Sequence, residues 1–379
     1  MSHEKTSSPV LPSETALTST TEEASPTRAV NRRSFMKKSV VAGAVAAGAG
    51  LIAKSMPAFA QQTSSSSLSK GDIAILRFLA AAELIESDLW EQYAELGGVT
   101  SGTQNPYQLA LQQLDGDGSQ YISSNTLDEM SHAAFLNAYL KLKGAPPVNL
   151  NAFRTLPSSQ ATGAKQIGRL TNLTDLTVDT SWYTRYRSKA NPDFGATFPQ
   201  AINLVGVPAI PRDNSDFGPT NHIQAIANTA AFHFGFIEQG GSSLYSAMAQ
   251  KASNAEVLRI VLSIGGDEVA HFLEWVDFAG NGVQTPIAPF TDPTNGLTFP
   301  DFNATKNPLL QTNLIFPVPC EFINAALPRC AVIRPTATSG VAAGAVKAFT
   351  DDGLFIGQST EFFDTLSALA EAADAAQRG

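Results

Sequence analysis

The sequence predicts an all-α fold: a four-helix bundle with a long crossover between its second and third helices, followed by an irregular C-terminal extension. Two observations predict it. The pattern Asp-Glu-x-x-His occurs twice, as Asp128-Glu129-Met130-Ser131-His132 and as Asp267-Glu268-Val269-Ala270-His271. Each copy lies in a long stretch of helical apolar period, and two further stretches of that period complete a set of four. On a helix, a spacing of three is about 60° of rotation and one turn, so the Glu and His of each copy project from one face. With 16 Glu and five His in 379 residues, two such matched copies are no accident of composition.

In chain order, residues 1–30 are rich in Ser, Thr, Glu and Pro without apolar period, and read as disordered. The stretch Asn31-Arg32-Arg33-Ser34-Phe35-Met36-Lys37 resembles a twin-arginine export signal. A weakly apolar run over residues 40–52 follows, then Lys54 and the small-x-small triplet Ala58-Phe59-Ala60. At about 13 residues the run is short for a bilayer span. The expectation is cleavage after Ala60 and export to the periplasm or beyond, with the twin-arginine machinery as a partner. An uncleaved N-terminal anchor is the alternative. That machinery moves folded proteins, and cargo that takes up metal in the cytoplasm commonly uses it. Without residues 1–60 the chain holds 18 basic and 30 acidic residues, a net charge of about −12. Such a balance excludes nucleic acid and anionic membrane surfaces as partners.

Residues 61–70 are Ser-rich and read as flexible. The first helix is predicted over residues 71–96, where Ile73, Leu76, Leu79, Ala80, Leu84, Leu89 and Tyr93 recur at helical spacing and Gly97-Gly98 ends the run. Asp115-Gly116-Asp117-Gly118-Ser119 imitates a calcium loop but has Gln120 and Thr126 where the loop needs Gly and Glu, so it reads as a polar turn. The second helix is predicted over residues 124–143, with Leu127, Met130, Phe135, Tyr139 and Leu142 as its apolar set and Gly144 and Pro146-Pro147 as its stop. Residues 145–217 carry five prolines and no long period, which suits the crossover required when second and third helices run parallel. The third helix is predicted over residues 220–251. Ser253-Asn254-Ala255-Glu256 reads as a capping box that opens the fourth, which runs to about residue 279. Residues 284–335 are rich in Pro, Asn, Thr and Phe with a β-leaning piece at 314–318, and an Ala-rich helix is predicted over residues 360–376. The organisation expected is therefore a leader at 1–60, the bundle at 61–280 and an extension at 281–379 packed on the bundle. The two cysteines, Cys320 and Cys330, would form a short-loop disulfide in an oxidising compartment or stay as unpaired buried thiols.

A Glu oxygen and a His nitrogen on one face make a two-point grip on iron, manganese or zinc, although a single such pair is usually just a solvated contact. Bundles with a dinuclear core take one Glu-x-x-His from each of two helices and one Glu from each of the other two. On the third helix, Glu238 is the lone carboxylate from residue 220 to 249, set among Phe232, Phe234, Phe236 and Ile237. An unpaired carboxylate buried there would be costly, and a cation resolves that. The first helix offers Glu83, Glu86, Asp88, Glu91 and Glu95. Glu238 is followed seven residues on by Tyr245, as Glu83 is by Trp90 and Glu86 by Tyr93. Glu83 lies in the more apolar context and is preferred, with Glu86 left as a supporting or additional ligand. His233 stands about 140° around the helix from Glu238, so it and His222 read as packing or surface histidines. Gly240-Gly241 and Gly265-Gly266 flank candidate ligands and cost helix stability. Close approach of the third and fourth helices, or a π-bulge, would offset that cost; local fraying is the simpler account.

On these residues the chain resembles the ferritin-like superfamily, and within it the exported group that includes desiccation-related proteins. The match covers about residues 70–145 and 218–280. The resemblance implies two iron or manganese ions held by Glu83, Glu129, His132, Glu238, Glu268 and His271, with Glu83 and Glu238 central to catalysis. It also implies that Asp128 orients His271 and Asp267 orients His132. The chemistry implied is activation of dioxygen or peroxide: ferrous oxidation, or peroxide disproportionation with manganese. Trp90 or Tyr245 would then lend an electron, or simply pack. The other reading is a non-catalytic metal-binding or desiccation-protective protein. Iron storage ranks below both, because the extension would obstruct a closed shell. The sequence leaves the oligomeric state open, a homo-oligomer included.

Overall fold

The computed structural model describes residues 67–194, 198–285, 287–312, 315–321, 323–333 and 339–378. The disordered leader and export signal expected at residues 1–60 lie outside the described residues. Four long helices carry the fold: α1 (Lys70–Gly97), α3 (Gly118–Leu142), α5 (Thr220–Lys251) and α6 (Ala255–Asn281), with a short α2 (Pro106–Leu114) between the first two. α1 starts where the Ser69 hydroxyl accepts the Asp72 N–H, and α2 opens with a reciprocal box between Asn105 and Gln108. The α6 cap corrects the sequence reading. Asn254, not Ser253, accepts the N–H groups of Glu256 and Val257. The Ser253 hydroxyl is instead committed to Asp72 Oδ2 at 2.6 Å, which ties the start of α1 to the α5–α6 turn.

The helices form two antiparallel hairpins, α1 with α3 and α5 with α6. Thr126 of α3 donates to the carbonyl of Trp90 near the end of α1, and Gly241 of α5 faces Glu268 of α6. α3 in turn lies antiparallel to α6, since Asn125 meets Trp275. α3 and α5 are therefore parallel, and residues 143–219 are the crossover. It holds a two-stranded antiparallel pair, β1 (Leu176–Val178) with β2 (Leu204–Val207), and one turn of helix, α4 (Trp182–Arg185). Asp88 of α1 anchors it, accepting the N–H groups of Leu170 and Thr171 and the Thr171 hydroxyl on one oxygen, with Arg154 on the other. Trp182 seats its ring where any side chain at Gly235 of α5 would stand, 2.2 Å from a Cβ there.

The extension contributes the strand pairs β3 (Phe290–Thr291) with β4 (Thr298–Phe299) and β5 (Pro317–Val318) with β6 (Cys330–Ala331). It ends in α7 (Val341–Asp351), which the sequence reading missed, and α8 (Thr360–Asp374). α8 packs on α1, and α7 on α8 and α5. Cys320 is buried and Cys330 exposed, both unbonded, because β6 sets Cys330 opposite Val318 and leaves Cys320 beyond the pair. No described helix is long and apolar enough to cross a membrane.

One expectation about α3 is reversed. Leu127, Met130, Phe135 and Leu142, taken as its core set, are exposed. The buried face carries Ile122, Asn125, Thr126, Glu129, His132, Ala133, Leu136 and Leu140. Polar side chains occupy the inner face and push the larger apolar ones outward.

His222, at the start of α5, is buried and binds two carboxylates: Asp216 of the crossover at 3.0 Å and Asp292 of the extension at 2.9 Å. Burial opposes its charging, but Asp292 and Asp216 outweigh burial and raise its pKa. His222→Ala should cost about 3 kcal/mol in urea titrations near pH 6, since it strands a buried carboxylate. The deficit should shrink as pH climbs past the raised value, where the wild type loses the same interaction.

Candidate metal centre

Each long helix turns one or two donor side chains to the bundle axis. α1 supplies Glu83, α5 supplies Glu238, and the one-face spacing on α3 and α6 supplies Glu129 with His132 and Glu268 with His271. Glu83, Glu129 and Glu238 are wholly buried, and Glu268 and both histidines nearly so. Their donor atoms fall into two groups: Glu83, Glu129, His132 and Glu268; and Glu129, Glu238, Glu268 and His271. Within a group all donor atoms lie within 4.8 Å of one another, and Glu129 and Glu268 belong to both. His132 Nδ1 is 3.3 Å from Glu129, 3.4 Å from Glu83 and 3.6 Å from Glu268. His271 Nδ1 is 3.1 Å from Glu129 and 3.4 Å from Glu238.

The outer ring nitrogens cross over between motifs. His132 Nε2 stands 3.2 Å from Asp267, and His271 Nε2 stands 3.4 Å from Asp128. A carboxylate on Nε2 holds the proton there and turns the Nδ1 lone pair inward. Both aspartates are half-exposed, so they form the outer rim of the site.

The donor set fits metal ions. Glu83 Oε2, Glu238 Oε2, both oxygens of Glu268 and His271 Nδ1 are fully buried without an aligned hydrogen-bond partner. Stranded polar atoms on this scale are costly, and cations at the two groups would satisfy them together. The proton affinities say the same. Burial, then Glu238 and Glu83, push Glu129 up to about 8. Burial and neighbouring carboxylates also raise Glu268 and Glu86. Burial opposes charge on His132, but Glu129 and Glu83 outweigh it and lift the imidazole to about 10. His271 is raised likewise, against burial, by Glu238 and Asp128. The bare cluster gathers protons where cations would replace them.

Glu86 is buried beside the cluster but joins neither donor group. The sequence reading missed two supports. Asn125 Nδ2 donates to Glu129 at 2.8 Å and Glu238 at 3.2 Å, and its oxygen accepts the Trp275 indole N–H at 2.8 Å. Asn125 lies four residues before Glu129 and Trp275 four after His271, so the one-face rule that found the ligands also reaches them. Tyr245 donates its hydroxyl to Glu83. Trp90 touches no ligand; it stacks on Trp275 and Phe234.

The glycine pairs mark close approach of α5 and α6. A Cβ at Gly241 would stand 2.0 Å from Glu268 Oε2, and one at Gly265 would stand 2.8 Å from Tyr245 Cβ. Both helices run as regular α-helix through the pairs, so no π-bulge forms. His233 is buried, as is His222, and both lie away from the donor groups.

The family model of the ferritin-like domain matches residues 71–275, a span that includes all six donor residues, and the chain belongs to that family. No curated protein and no solved structure matches it.

Gly241→Ala is expected to displace the Glu268 carboxylate, cost about 2 kcal/mol of stability, and lower the metal content found by elemental analysis. Metal binding should release protons and weaken as pH falls, because Glu129, Glu268 and both imidazoles must shed protons that their raised pKa values retain. Calorimetry in buffers of differing ionisation enthalpy reads the protons released, and a pH-independent affinity would contradict the assignment.

Proposed function

With membership of the ferritin-like family as the premise, we propose that this chain is a di-metal carboxylate protein holding two iron or manganese ions and activating dioxygen or peroxide. The observation that carries the reading is the pair of donor groups that share Glu129 and Glu268. Iron or manganese held there would supply the electrons that reduce dioxygen or peroxide. Glu129 and Glu268 would hold both ions, with His132 and Glu83 completing one position and His271 and Glu238 the other. Glu83 and Glu238 each serve a single group, so they are the carboxylates freest to shift or to take a proton. Tyr245 can pass its hydroxyl proton to Glu83, and the Asn125 amide fixes Glu238 against Glu129. Asp128 and Asp267 keep the imidazoles aimed inward and offer half-exposed oxygens for protons to enter or leave. Trp275 and Phe234 wall off the inner side from water.

The leader adds a route. A twin-arginine signal over residues 31–37 would carry the folded, metal-loaded chain to the periplasm or beyond. A peroxide- or dioxygen-consuming protein exported in that state serves ferrous oxidation or peroxide removal outside the cytoplasm.

Protein purified from its native compartment should contain iron or manganese and consume peroxide or dioxygen. Glu238→Ala should reduce that consumption by at least about 100-fold, and Asp128→Asn by about tenfold. Metal retained by the wild type with no consumption would overturn the reading and leave the metals a stabilising role.

A further inference from the structure

A second chain of buried polar and aromatic groups runs from the metal centre to a cavity on the other side of α5. Trp275 donates to Asn125, which holds Glu129 and Glu238. The Trp275 ring stacks on Trp90 at 5.4 Å between centroids, and Trp90 lies 5.6 Å from Tyr93. The Tyr93 hydroxyl is 2.7 Å from His233 Nδ1, and His233 Nε2 is 3.0 Å from Asp352 Oδ2, within ion-pair reach though not aligned as a hydrogen bond. Tyr93, His233 and Asp352 are fully buried. Asp352 lines a cavity of about 630 Å³ walled by Val178, Phe194, Leu204, Phe236 and Ala348. Phe236 stacks on His233 at 6.0 Å, and Phe194 fills the gap between Gly240 of α5 and Gly344 of α7.

We propose that this cavity docks a small hydroquinone, and that Asp352, His233 and Tyr93 pass its electron and proton into the protein. The volume is that of a small-molecule site. Two Phe rings suit a flat aromatic body, and a buried carboxylate suits an O–H donor. The two nitrogens of His233 are complementary: Asp352 favours the proton on Nε2, which leaves Nδ1 to accept from Tyr93. Burial, with Tyr107 and Asp352 adding to it, raises the Tyr93 pKa, so the phenol cannot lose an electron without a base at hand.

The proposal rests on the oxygen- or peroxide-activating reading, which supplies the oxidant. Tyr93 gives one electron through Trp90 and Trp275 to the oxidised metal pair, and its O–H bond breaks as the proton passes to His233 Nδ1. Hydroquinone then gives one electron to the Tyr93 phenoxyl and one proton to the Asp352 carboxylate, leaving as a semiquinone. His233 returns its proton to Tyr93, and Asp352 releases its own through the cavity. One hydroquinone is oxidised by one electron, the metal pair is reduced by one, and one proton is set free.

Two measurements on the full chain decide it. Zinc-substituted protein, which is redox-inert, should bind 1,4-hydroquinone in calorimetry, and Ala348→Trp, which fills the cavity, should weaken binding by about tenfold or more. Circular dichroism and zinc content check that this variant is folded. Iron- or manganese-loaded protein frozen after peroxide addition should show a tyrosyl radical by electron paramagnetic resonance. That signal should be absent in Tyr93→Phe and quenched by hydroquinone in the wild type. Equal binding by wild type and Ala348→Trp, or no binding by either, would overturn the docking site. A radical that persists in Tyr93→Phe, or no radical during peroxide consumption, would overturn the relay. A loaded protein that consumes no peroxide would overturn the activating reading and the relay with it, while the zinc experiment still decides the cavity alone.

Discussion

Glu83, Glu129, Glu238 and Glu268 crowd the dry middle of the bundle with their donor atoms a few ångströms apart, and Glu86 is buried beside them. Each charge loses several kcal/mol of hydration there, and each repels the others. Two imidazoles offset only part of that, which is why Glu129 and Glu268 hold protons so tightly. The arrangement is stable only with positive charge at its centre, whether from protons or from metal ions. Much else follows from it. α5 and α6 must approach until Glu268 fills the place of a side chain at Gly241. Asn125 and Tyr245 must spend their donors on carboxylates, and Asp128 and Asp267 must face the outer nitrogens of the histidines.

The two halves of the centre are related but unequal. Seven residues beyond Glu238 stands Tyr245, which reaches across to Glu83. Seven residues beyond Glu83 stands Trp90, which has no hydroxyl and turns instead to Trp275 and Phe234. Glu238 takes its support from Asn125. One terminal carboxylate thus neighbours a group that can give up a proton, and the other an amide that cannot. Two metal positions with these surroundings would differ in affinity and in how readily the carboxylate moves.

The sequence disclosed the long helices and the ligands because both obey one periodicity. Ile73 to Tyr93 marked α1, and the spacing of three between Glu129 and His132 and between Glu268 and His271 placed four donors on two inward faces. The same periodicity misled on α3. Its inner face is given to Asn125, Thr126, Glu129 and His132, so the large apolar residues that should mark a core stripe mark the solvent side. The cap of α6 was misjudged because Ser253 finds a stronger partner in Asp72, a contact 181 residues away that no local pattern reveals. α7 escaped notice because its run of Ala and Gly is weakly apolar, and it is held by packing on α5 and α8. The relay from Tyr93 to Asp352 joins positions far apart in sequence, and only the folded chain brings them together.

The appendages explain why the donors are distributed as they are. The crossover covers α5 through Trp182, and α8 covers α1, so these two helices are buried on nearly every side. They carry the single carboxylates Glu83 and Glu238. α3 and α6 keep one face to solvent, where Leu127 and Leu262 are exposed, and they carry the histidines with half-exposed Asp128 and Asp267 behind them. The centre therefore has a wet side at the α3–α6 seam and a dry side toward α1 and α5. Small diffusible oxidants and protons have their shortest path through the seam. Electrons from a bulkier donor have theirs through the aromatic rings of the dry side, where water cannot compete for the charge.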